Sequence, residues 1–104
     1  MNIYIDNTNL LELFRLKSAV ENTYINDATV TVTLKDEAGT EVTGQTWPLT
    51  LTYVPSSNGD YRGIISEDCE FTEGEPYYAI IEANAGVNRY GHWEIQFVPK
   101  VRRM

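Results

Sequence analysis

Asn26-Asp-Ala-Thr-Val-Thr-Val-Thr-Leu-Lys-Asp-Glu-Ala-Gly39 carries the strongest structural signal in the chain. Ala28, Val30, Val32 and Leu34 alternate without a break against Thr29, Thr31, Thr33 and Lys35, so one face is apolar and the other hydroxyl-rich. A half-buried antiparallel strand follows. Asn26-Asp27 before it and Asp36 to Gly39 after it supply turn chemistry, because Asx side chains bond nearby backbone and glycine accepts a positive φ.

The same period recurs on both sides. Trp47, Leu49, Leu51 and Tyr53 alternate with Pro48, Thr50, Thr52 and Val54. Pro48 cannot donate to a ladder, so the start of that strand is expected at an edge or with its nitrogen toward solvent. Pro55 to Asp60 is a turn, and Tyr61–Ile65 returns as the second arm of a hairpin. In Tyr77 to Ala83, Glu82 should face water, which puts Tyr77, Ala79, Ile81 and Ala83 inside and Tyr78 and Ile80 outside. The last strand sets Trp93, Ile95 and Phe97 against His92, Glu94 and Gln96, and Pro99 ends it. Upstream, Asn2–Ile5 reads as a first short strand. Leu10 to Lys17 fits a helical face at Leu10, Leu13, Phe14 and Lys17, but a lone short helix has no natural place in a small sandwich, so a strand is expected there. Thr40 to Val42 is a short return that Gly44 breaks or bulges. About seven short strands separated by turns point to an all-β antiparallel sandwich.

At 104 residues the chain holds a single core, so residues 1–104 form one expected domain. Two Trp, three Phe and seven Tyr are enough to fill it. A net charge of -7 argues against nucleic acid, whose binding rests on phosphate neutralisation. Cys69 is the sole cysteine, so no intrachain disulfide forms, and its acidic neighbours Glu67, Asp68 and Glu70 blunt it as a nucleophile. The start of the chain has no basic and apolar leader, and no run approaches the ~18 apolar residues of a membrane span, so cytoplasmic synthesis is expected and no membrane partner.

Catalytic signals are missing from the pattern. His92 is the only histidine and falls on the outward face, without the Cys or His companions a zinc site needs and without a nucleophile on a strained turn. Phosphate-binding glycine loops are absent. Asp6, Asn7 and Asn9, and Asn58 with Asp60, are two candidate calcium loops, but neither has EF-hand spacing. The five carboxylates between Glu67 and Glu75 read as a solvated loop anchored by Phe71. No enzyme activity and no cofactor are expected. The remaining lead is aromatic: Tyr78, Ile80 and Tyr90, if outward, form a patch suited to protein contact.

The order of these signals resembles bacterial and phage immunoglobulin-like modules. Ala28, Val30, Val32, Leu34, Asp36 and Gly39 match their central strand, Gly59, Tyr61 and Gly63 a "Gly-x-Tyr-x-Gly" hairpin, and Gly74 with Tyr77 or Tyr78 a "Gly-x-x-Tyr" strand. The likeness spans Asn26 to Phe97 and lacks the antibody-type Cys…Trp…Cys arrangement. It implies an immunoglobulin-like sandwich and a small tailed-phage or prophage virion component of the head, head–tail junction, tail or baseplate. Such a protein is made in the bacterial cytoplasm and works by docking on other virion proteins or on copies of itself. The alternative is a carbohydrate- or ligand-binding sandwich in which Trp47, Tyr90 or Trp93 stacks on a sugar ring.

Overall fold

A computed structural model describes residues 1–103. Six strands form one curled antiparallel sheet: β1 (Asn9–Leu13), β2 (Thr29–Asp36), β3 (Leu49–Tyr53), β4 (Tyr61–Ile65), β5 (Tyr77–Asn84) and β6 (Tyr90–Phe97), in the spatial order β1-β4-β3-β2-β5-β6. β3 is the bend. Its Leu49–Leu51 half pairs with β2, while Thr52 and Tyr53 pair with β4. The sheet therefore folds into a narrow layer around β1 and β4 and a wider one around β2, β5 and β6, joined by one apolar core.

Period-two alternation fixes that core. Val30, Val32 and Leu34 are fully buried, and across the ladder Ala83, Ile81 and Ala79 stand opposite them on the same face. Leu51, Tyr61 and Ile65 close it from the other layer. Phe71 anchors the acidic loop as expected, edge-on to Tyr77 at 5.2 Å and to Phe97 at 5.9 Å. Cys69, within that loop, is buried, and burial, with the Asp68 carboxylate adding to it, raises the thiol above its ordinary value.

Two sequence expectations need correction. Six strands form rather than about seven, because Asn2–Ile5 makes only a parallel bridge from Tyr4 to Lys100. The chain turns away at once through Asp6 at φ 60°, and the Asn9 amide bonds both main-chain groups of Tyr4. Second, the strand expected over 10–17 stops at Leu13. Arg15 takes φ 54° and reverses the alternation, so Leu11 and Leu16 are both buried although they differ in parity, while Phe14 is exposed. β3 is an interior strand, and Pro48, which cannot donate, lies exposed and outside the ladder, one residue before its first paired position.

The motif Gly59, Tyr61 and Gly63 has a packing reason at each position. Gly59, at φ 75°, lies against the main chain of Leu16, whose amide donates to its carbonyl at 2.8 Å. The buried Tyr61 hydroxyl donates to Ile25 O at 2.8 Å and accepts from Ala28 N at 3.1 Å, pinning the entry to β2. Gly63 leaves room for the Leu51 and Leu49 side chains.

Candidate functional site

Width decides where the molecule is left open. The narrow layer cannot reach across β6, so the inner face of that strand is covered only at its ends. Phe71 covers Phe97 at one end. At the other, the segment from Leu16 to Ala19 faces Ala83, Arg89 and Trp93 across a cleft of about 190 Å³. Between them Trp93 is 37% and Ile95 39% exposed, although they share a face with the buried Ile81 and Ala79. The indole of Trp93 lies along its own strand over Gly91, where any Cβ would collide with the ring.

The cleft wall is held by Arg89. Its guanidinium reaches Asp27 Oδ1 at 3.2 Å and donates to Ala85 O at 3.2 Å, while the buried Nε, which has no hydrogen-bond partner, stands 3.9 Å from Glu21. On the outer face of β6, His92 Nδ1 lies 3.3 Å from Glu82 Oε1 and its Nε2 3.8 Å from Glu94 Oε1. These exposed pairs orient the ring rather than stabilise the fold.

β6 is also a sheet edge, and its backbone is open. Ala85 N donates to Arg89 O at 2.9 Å, which sets the alternation of the ladder. Gly91, Trp93, Ile95 and Phe97 then bond to β5, whereas Tyr90, His92, Glu94 and Gln96 aim their N–H and C=O groups away from the sheet. Lys100 has the same parity, and it is there that the N-terminal segment pairs, with Lys100 N donating to Ile3 O and Ile5 N to Lys100 O. No family model, no curated protein and no solved structure matches the chain. The site is therefore read from this geometry alone.

The sequence-named residues divide. Tyr78 and Ile80 are half-buried neighbours on the outer face of β5, in a shallow depression with Lys35, His92 and Glu94. Tyr90 is on the same face by register and 61% exposed, but it stands opposite Asn84, about 13 Å further along the strand. The three do not form one patch. Trp47 is half-buried and packs against the core, with its indole N–H bonded to Val42 O at 2.7 Å. Ile95 was missed as a surface residue because its alternation is that of a covered strand. Only the strand order, which local sequence does not encode, reveals that it is left partly exposed.

In the loops with calcium-type residues, Asn7, Asn9 and Asp60 bond the chain itself. Asn9 bonds Tyr4 and Asn7, and Asp60 Oδ1 accepts from Arg15 N at 2.9 Å. Among the described residues no three His, Cys, Asp or Glu side chains converge as a ligand set.

Proposed function

We propose that this chain is a non-enzymatic structural and interaction protein, a virion component of phage or prophage type built on an immunoglobulin-like sandwich, and that it acts by docking on other proteins. The observation that carries the reading is the open edge of β6 beside the exposed Trp93 and Ile95. An eight-residue edge strand with unpaired main-chain groups and an apolar flank suits strand addition, in which backbone bonds give affinity and side chains give register. β1, the opposite edge, has only five residues and is followed two residues on by the left-handed Arg15. The virion assignment rests on the resemblance of the Ala28–Gly39, Gly59–Gly63 and Gly74–Tyr78 motifs, and it implies synthesis in the bacterial cytoplasm before assembly.

Mass spectrometry of particles purified from a host that expresses the chain during phage growth tests it. The chain is expected at a fixed copy number per particle, and Ile95→Lys, a change at an exposed position, is expected to remove it from particles while leaving the isolated domain folded. Particles without the wild-type chain would contradict the reading.

One feature favours a second reading, a carbohydrate-binding sandwich. The Trp93 indole lies over Gly91 at the mouth of the cleft, next to Asn88 and Arg89, an arrangement in which a sugar ring stacks on the indole and bonds to the polar wall. Saturable changes in tryptophan fluorescence on glycan titration, lost in Trp93→Ala, would move the assignment to this class.

A further inference from the structure

We infer that β6 is a self-pairing edge: two copies of the chain join antiparallel about a two-fold axis through Trp93, with His92 of each opposite Glu94 of the other. This rests on the reading of β6 as a docking strand and names its partner as a second copy.

The register follows from what is already paired. The N-terminal segment occupies the edge at Lys100, and within β6 the open stretch runs from Tyr90 to Gln96. Its midpoint is Trp93. Residues directly opposite in an antiparallel pair share a face, so a two-fold axis normal to the sheet must pass beside one residue of the strand. An axis at Ile95 sets Tyr90 against Lys100, where the edge is taken. With the axis at Glu94, two carboxylates stand face to face, and with it at His92, two imidazoles do. Only the axis at Trp93 sets an imidazole opposite a carboxylate, and symmetry makes that contact twice. It also pairs Tyr90 with Gln96, which uses the open stretch from end to end.

The apolar side agrees with the same register. Gly91 of one copy falls opposite Ile95 of the other. Because the Trp93 indole already lies over Gly91, its edge meets the facing Ile95, and the two indoles lie on opposite sides of the axis. The partly exposed Trp93 and Ile95 of each copy thus find apolar partners in the other, and every outward N–H and C=O from Tyr90 to Gln96 gains a strand to bond.

Sedimentation velocity of the full chain over a concentration series tests the pairing. The wild type is expected to pass from monomer to a discrete dimer. His92→Glu sets carboxylates opposite each other at both symmetric contacts and should raise the dimer dissociation constant about tenfold or more. His92→Glu combined with Glu94→Lys restores opposite charges in this register and should bring dimerisation back. Both positions are exposed, so each variant should keep the circular dichroism spectrum of the wild type. A wild type that is monomeric throughout, a dimer indifferent to His92→Glu, or a double variant that stays monomeric would each overturn the pairing. A monomer that is still built into particles overturns the pairing and leaves the virion reading intact, whereas a dimer absent from particles does the reverse.

Discussion

Replacing Gly59 with alanine is expected to lower the melting temperature by on the order of 15 °C, far more than a single methyl group ordinarily costs. Two effects add. Gly59 sits at φ 75°, where an L side chain costs roughly 1–2 kcal/mol. Its new Cβ would stand 2.5 Å from Leu16 O and 2.6 Å from Leu16 N, and these are backbone atoms that no rotamer change can move aside. Forcing them apart breaks the Leu16 N to Gly59 O bond and disturbs the Asn26 Oδ1 bond to Gly59 N, at roughly 1–3 kcal/mol of overpacking strain. Gly39→Ala is the control. It has φ 86° and nothing within 4 Å of the added Cβ, so thermal melts should show the left-handed cost alone. Equal losses at the two sites would mean that the contact with Leu16 is not a structural joint.

Truncating Tyr61 should be the most damaging single change in the core. The ring is 1% exposed and lies 5.6 Å from Tyr53, so Tyr61→Ala is expected to cost about 3–5 kcal/mol in urea unfolding. Tyr61→Phe separates packing from bonding. It keeps the ring but leaves Ile25 O and Ala28 N without their partner, for a loss of roughly 1–3 kcal/mol. The same hydroxyl makes stability depend on alkaline pH. Burial, first among the causes, raises the phenol above its ordinary value near 10.0. The folded chain then keeps a proton that the unfolded chain gives up, so this contribution is complete below pH 10.0 and is lost as pH climbs toward the raised value. Urea midpoints of Tyr61→Phe should be flatter than those of the wild type over that alkaline window, and parallel curves would contradict the assignment.

These two residues show how much of the fold was legible before any coordinates. Gly59 and Tyr61 stood out in the sequence as a spaced motif, and the inward sets Val30, Val32, Leu34 and Tyr77, Ala79, Ile81, Ala83 followed from period two. Local alternation is a backbone property, so it survives wherever the strand is regular. It failed at Arg15, where one left-handed residue reverses the parity between Leu11 and Leu16, and arginine gives no warning of that. The docking strand was less legible. Whether Trp93 and Ile95 are core or surface depends on how far the β1 and β4 layer reaches, which is set by strand order. Tyr78, Ile80 and Tyr90 were placed on the correct face, yet the distance between Ile80 and Tyr90 divides them, and the apolar opening lies on the opposite face of the same two strands.

The central claim, that the outer edge of β6 is open in the isolated chain and taken up by a protein partner, is tested most directly by residue-resolved amide hydrogen exchange. In dilute solution the amides of Gly91, Trp93 and Ile95 should be protected, while those of Tyr90, His92, Glu94 and Gln96 exchange rapidly. At concentrations that favour association the second set should become protected as well. Slow exchange of those four amides in the dilute chain, or no slowing in the concentrated one, would contradict the account.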